Sequence, residues 1–257
     1  LFVTPIAALA LADVVARYND RSAGAHGAPL LKSIIGWLTV IAGFVAVILA
    51  QSDGGLVALL AATFVALLLH RQTRKAALTV ALAAILAVAV IQPLRSAVEE
   101  KLLFKEWSGK VRTVIWKESW TMLTDTGTPA GLARPILGAG LAAYPTAILP
   151  YHKATWMEVF QYPHNILLNI WSETGLLGLI AFSCILITWV RRGSGPRTTD
   201  LILPILTALL VHGLVDVPYF KNDLAVAFWL FVLITTSLKD APNRIDAKDK
   251  SPYHPPA

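Results

Sequence analysis

His164, Asn165, Asn169, Ser172 and Glu173 stand at the front of "HNILLNIWSETGLLGLIAF", a run otherwise apolar enough to cross a membrane. From Asn165 the spacing puts the polar groups on one helix face. At 1.5 Å per residue Glu173 lies roughly 13 Å below His164. A carboxylate at that depth costs about 2.5 to 3.5 kcal/mol on insertion scales, so it must face protein or water. Asn169 and Glu173 are therefore expected to hold helices together by hydrogen bonds. An imidazole at the aqueous rim has a second use, because it can hold a proton-accepting nitrogen near neutral pH. His164 is accordingly a candidate general base, with an ordinary structural histidine as the alternative. His212 and Asp216, four residues apart near the outer end of the next apolar run, read either as a supporting pair behind a reactive group or as a lock on a helix end.

These groups need a frame. Of 257 residues, 56% are hydrophobic and 15% charged, with a mean hydropathy of +0.61, far from the make-up of a soluble domain. The expected fold class is all-α: a polytopic transmembrane helical bundle with a large extracytoplasmic loop containing an amphipathic helix. Windows able to span roughly 30 Å of hydrocarbon, at about 20 residues each, run over 33–50, 55–69, 76–93, 164–190, 201–217 and 222–238, and 1–16 reads as the end of another. The expected organisation is transmembrane helices over 1–93, an extracytoplasmic loop over 94–163, transmembrane helices over 164–238 and a cytoplasmic tail over 239–257. The chain starts at Leu1 inside an apolar run and is read as a fragment with a truncated N-terminus. Cys184, the only cysteine, falls in a span, which leaves neither a disulfide framework nor a cysteine-based metal site.

Lysine and arginine in short loops mark the cytoplasmic side. Four groups hold more than half of the basic residues: Arg17, Arg21 and Lys32; Arg71, Arg74 and Lys75; Arg191, Arg192 and Arg197; and Lys239, Arg244, Lys248 and Lys250. Alternating spans put all four on one side. The turn "QSDGG", the turn "DVPYFKND" and the segment 94–163 then face outward, since loops beyond about 60 residues largely escape the charge rule. The net charge of +6 reflects this topology, and no nucleic-acid motif accompanies it.

Within the outer segment, "GKVRTVIWKESWTMLTD" sets Arg112, Trp116, Trp120 and Leu123 in one helical row beside an apolar row of Val111, Val114, Ile115 and Met122. Tryptophans favour the headgroup level, so this helix is expected to lie along the outer surface. Arg112 there either meets a substrate arriving from the lipid or merely rests on lipid phosphates. "PILGAGLAAYP" follows, with Gly138 and Gly140 marking a tight backbone turn whose purpose the sequence leaves open.

Taken in order, "QSDGG" and its span, the loop with Arg112 four residues before Trp116, "PILGAGLAAYP", "HNILLNIWSETGLLGL" and "HGLVDVPYFKND" resemble the C-terminal part of the O-antigen ligase and O-antigen polymerase family over nearly the whole chain. Its members are membrane glycosyltransferases that take glycans from an undecaprenyl pyrophosphate carrier. The resemblance implies an inverting, metal-independent transferase without cofactor, in lipopolysaccharide or other cell-surface polysaccharide synthesis. It would be multi-pass in the bacterial cytoplasmic (inner) membrane, with its active site on the extracytoplasmic face. Its partners would be an undecaprenyl-pyrophosphate-linked glycan donor, a lipid or glycan acceptor and the bilayer, with no nucleic acid. The resemblance makes His164 the base for the acceptor hydroxyl and Arg112 the cation on the departing pyrophosphate. It extends substrate contact to Asn165 and Trp116, and leaves Glu173, Asn169, His212 and Asp216 in supporting roles. The outer face carries no DxD-like acidic pair and no His/Cys cluster for a metal.

One position departs from the family pattern. Members usually carry a second arginine in a Ser-Arg-Gly turn, whereas this chain reads Ser52, Asp53, Gly54. Aspartate repels pyrophosphate, so either another cation, such as Arg95, Lys110 or Lys153, substitutes or the donor is handled differently. Ligase, polymerase and protein oligosaccharyltransferase need the same base and pyrophosphate site, so these residues do not separate them. A transporter or flippase of lipid-linked glycan is the alternative from another class, disfavoured because the spans read as unbroken and without internal repeats. A non-catalytic scaffold of a polysaccharide assembly complex is the third.

Overall fold

The computed structural model describes residues 3–22, 30–127, 129–193, 196–218 and 222–237. Among these residues the regular structure is helical throughout, with no strand. The elements are α1 (Val3–Ser22), α2 (Leu30–Leu49), α3 (Asp53–Leu69), α4 (Arg71–Val90), α5 (Gln92–Leu102), α6 (Trp107–Thr124), α7 (Pro129–Leu137), α8 (Tyr144–Ile148) with a 3-10 turn at Leu149–Tyr151, α9 (Ile166–Arg192), α10 (Pro196–Gly213) and α11 (Asn222–Ser237).

Each apolar window falls on one of α1 to α4 or α9 to α11. Two of these, α4 at 20 residues and α9 at 27, are long and apolar enough to cross a membrane. The apolar stretches Ser33–Leu49, Asp53–Leu69, Thr198–Gly213 and Leu224–Ser237 are shorter, so among the described residues two of the seven expected spans qualify by length and composition. α4 buries only Ala77 and leaves Leu78, Val80, Leu82, Ile85, Leu86 and Val90 each more than half exposed. An apolar flank of that extent is of a kind suited to lipid contact.

Helices in lipid gain little from excluding water from one another, so they associate through close packing and hydrogen bonds. Ala8, Ala62 and Ala208 are fully buried where α1, α3 and α10 cross, because alanine lets three backbones approach. A second cluster joins α9, α10 and α11 through Phe182, Trp189, Ile202, Ile205, Phe228 and Phe231. There the Trp189 indole donates to Thr235 Oγ1 at 2.8 Å.

The contacts also orient the helices end to end. At one end His70 Nε2 stands 3.6 Å from Asp200 Oδ2, joining the close of α3 to the start of α10. At the other, Gly54 at the start of α3 sits against Val215 and His212, and Thr4 Oγ1 of α1 lies 3.1 Å from His212 Nδ1. α9 runs from Ile166, packed on Gly213, to Arg192, and Gly193 just after it packs on Ile202. The basic positions 17, 71, 74, 191 and 192 therefore gather at the end remote from His164. The side chains of Arg21, Lys32 and Arg197 and the tail over 239–257 lie outside the described residues.

One expectation is overturned: α9 is not an unbroken span. Gly175 has φ 70° and ψ −174°, a conformation that interrupts the helix. The break withdraws carbonyls of the preceding turn from helical pairing, and the chain after α7 takes them up. Ala139 N donates to Ser172 O at 2.7 Å and Gly140 N to Glu173 O at 3.1 Å, while Ala142 N donates to Glu173 Oε1 at 3.2 Å. Gly138 (φ 76°) fits only without a side chain, since a Cβ there would come 2.6 Å from the Glu173 carbonyl, and one on Gly175 would fall on the Ile136 carbonyl. This is the purpose of "PILGAG". Irregular backbone inside an apolar helix needs protein or water to satisfy it, and here protein does so. The break is filled rather than open to a solute.

Candidate functional site

The candidate residues arrive from three elements and meet on one turn. Past the end of α10, Leu214, Val215 and Asp216 each hold one of them. Asn165 Nδ2 donates to Leu214 O at 2.9 Å, Arg112 Nε donates to Val215 O at 2.9 Å, and His164 Nδ1 lies 3.4 Å from Asp216 Oδ1. The last separation exceeds a well-formed N–H···O bond by about 0.4 Å. Asp216 Oδ1 also accepts the Val217 N–H at 2.8 Å. Burial pushes the Asp216 carboxyl up, but the contacts from His164 and Val217 outweigh it and hold it below the usual carboxylate range.

Local structure explains how each group is aimed. His164 has φ 48°, a left-handed conformation that histidine tolerates better than most residues, and it turns the chain immediately before α9. Asn165 caps that helix, its Oδ1 accepting from Leu167 N and Leu168 N. The His164 ring lies 4.7 Å from the Tyr162 ring and 5.3 Å from that of Phe160. Trp116, one turn after Arg112 on α6, donates its indole N–H to Pro163 O at 2.9 Å, and Phe104 meets its ring edge-on at 5.3 Å. α6 thus carries Arg112 and also fixes the backbone that presents His164. Arg112 Nη1 donates to Ser108 Oγ at 2.7 Å. Its recorded partners are a carbonyl and a hydroxyl, and among the described residues no carboxylate lies within ion-pair distance. A guanidinium held at two nitrogens without a neutralising carboxylate is suited to a phosphate.

With this arrangement in view, comparison with known proteins is decisive at the level of family. The O-antigen ligase family model matches residues 38–183, more than half of the chain and including Arg112 and His164. The chain belongs to the O-antigen ligase family. Membership carries a membrane setting, lipid-linked glycan substrates and a glycan-transfer role in polysaccharide synthesis. No curated protein matches the chain. In this O-antigen ligase family member the match stops before α10, so the turn that gathers Asn165, Arg112 and His164 lies beyond it.

The other anticipated residues fall differently. Asn165 and Trp116, expected on substrate, spend their recorded side-chain bonds on the scaffold. Glu173 pins the Ala142 loop, whereas Asn169 is 4% exposed and its Oδ1 finds no partner among the described residues. His212 is buried against Thr4, and its expected partner Asp216 turns to His164 instead. Of the proposed replacement cations, Arg95 pairs with Glu99 at 2.7 Å and Lys153 lines a groove with Lys117, Thr121 and Asp125. Lys110, two residues before Arg112 on α6, points to the opposite face. The cation that meets Asp53 is Lys101, at 2.5 Å. Neither Lys101 nor Phe104 stood out in the sequence. Lys101 is one charge in a loop of several, and Phe104 matters through its φ of 51° and its contact with Trp116.

Proposed function

We propose that the protein transfers a glycan, with inversion, from an undecaprenyl pyrophosphate carrier to a lipid-core or glycan acceptor at the extracytoplasmic face of the bacterial inner membrane. The observation that carries this reading is the convergence of Arg112 and His164 on residues 214–216. In the proposed step the acceptor hydroxyl oxygen forms a bond to the anomeric carbon from the face opposite the carrier. His164 Nε2 takes the hydroxyl proton, while Asp216, facing Nδ1, steadies the resulting imidazolium. The bond from the anomeric carbon to the pyrophosphate oxygen breaks, its electron pair leaves with undecaprenyl pyrophosphate, and Arg112 stabilises the charge that gathers there. With arginine in that role the reaction calls for no divalent ion.

The test is transfer by the full-length protein in proteoliposomes from an undecaprenyl-pyrophosphate-linked oligosaccharide to lipid-core, glycan and peptide acceptors, with EDTA present. Wild type is expected to transfer and to reveal its acceptor; Arg112→Ala and His164→Ala are expected to insert normally without transferring. Retained transfer in both variants would refute the site.

A further inference from the structure

We propose that Asp53, Lys101 and Glu106 form an ionic strap that holds Arg112 in place, making Lys101 a positioning residue rather than a pyrophosphate ligand. Lys101 Nζ lies 2.5 Å from Asp53 Oδ2 and 2.6 Å from Glu106 Oε2. Asp53 opens α3, Lys101 lies in the last turn of α5 and Glu106 is the residue from which α6 starts, so one ammonium ties three helices. Six residues along α6, Arg112 reaches Val215 O. Val215 in turn seats against Gly54, where a Cβ would come 2.5 Å from Val215 Cγ2. The chain of contacts closes on itself through Asp53, Lys101, Glu106, α6, Arg112, Val215 and Gly54.

Charge separates a tether from a ligand. Two carboxylates on one ammonium leave the strap with a net negative charge, which offers a pyrophosphate no attraction, while Arg112 has no carboxylate partner among the described residues. Asp53 therefore has work of its own at the position where the family pattern has arginine: it gives Lys101 an anchor on α3. Asp53 and Lys101 are half exposed or more, so added salt weakens the strap.

The catalytic consequence rests on the transferase reading, but the geometry can be measured without it. Spin labels at Val57→Cys on α3 and Thr113→Cys on α6, in a Cys184→Ser background of the full-length protein, report the distance between the two helices. Lys101→Met and Asp53→Asn are each expected to broaden that distribution and to lower turnover about two- to fivefold, the scale of an exposed ion pair. Lys101→Arg is expected to restore most of both, and the double variant to be no worse than either single. Asp53→Arg is expected to lose turnover, because it sets a second cation against Lys101. A sharp, unchanged label distance in Lys101→Met, additive losses in the double variant, or tighter donor use by Asp53→Arg would each overturn the strap. Failure of the transferase reading looks different: Arg112→Ala and His164→Ala would then transfer as wild type does, while the labels still reported whether the strap holds α6.

Discussion

Asp216 Oδ1 faces His164 Nδ1 at 3.4 Å, so an aspartate after the end of one helix supports a histidine before the start of another. In the proposed step, an aspartate at Nδ1 leaves Nε2 for the acceptor, and its depressed proton affinity keeps a negative charge beside the imidazolium that would form.

Asp216→Asn preserves size but removes that charge. Turnover is expected to fall roughly 10²-fold, within the range of acid–base support, with little change in donor KM. Steady-state transfer kinetics check this, and an unchanged turnover would leave His164 acting without Asp216.

Trp116 links the arginine helix to the histidine loop through one hydrogen bond to Pro163 O. Trp116→Phe retains an aromatic ring against Phe104 but loses the donor, and is expected to cost about 1 kcal/mol of stability. Trp116→Ala also strips the half-buried ring from Phe104 and should cost more than Trp116→Phe. Thermal unfolding in detergent, read with turnover, would show whether the lost bond also loosens His164.

Gly175 and Gly138 interlock α9 with the chain after α7. Gly175→Ala meets the Ile136 carbonyl at a positive φ and is expected to destabilise by more than about 3 kcal/mol. Gly140→Ala has room, its nearest neighbour being 3.8 Å away, and bears only the strain of φ 105°. Thermal stability should therefore rank wild type, Gly140→Ala, then Gly138→Ala and Gly175→Ala.

His152 faces two acceptors, Glu118 Oε2 at 3.0 Å from Nδ1 and Met157 O at 3.2 Å from Nε2. An imidazole so placed is best satisfied with both protons, and the bond to Glu118 foremost raises it above the ordinary imidazole range. A raised folded value means that its stabilisation is fully present below the unfolded histidine value and is lost as pH rises through the folded one. Limited proteolysis of the stretch around 149–160 is expected to quicken as pH rises above the ordinary histidine value of about 6.5. His152→Gln should abolish that pH difference; a difference that survives would assign it to another group.

Helices, their apolar windows and the pairing of Arg112 with Trp116 were legible in the sequence because they depend on local periodicity. The family itself was legible in the order of short motifs, though its matched region, 38–183, is shorter than that order implied. The break in α9 was not legible, since "SETGLLG" reads as a helix until a second segment competes for the carbonyls of Ser172 and Glu173. Lys101 was passed over for the same reason: its partner Asp53 is distant in the chain.

By itself the sequence determined an all-helical chain of apolar composition, a basic-rich end and the chemical types available at the other, because hydropathy and charge are properties of single residues and their neighbours. Tertiary structure decided which of those types meet. It took Asp216 from His212 and gave it to His164, spent Asn165 and Trp116 on the scaffold, and set Lys101 against Asp53. Such contacts depend on where helices end and how their backbones cross, which is settled only when every carbonyl, side chain and charge competes for partners in the packed chain.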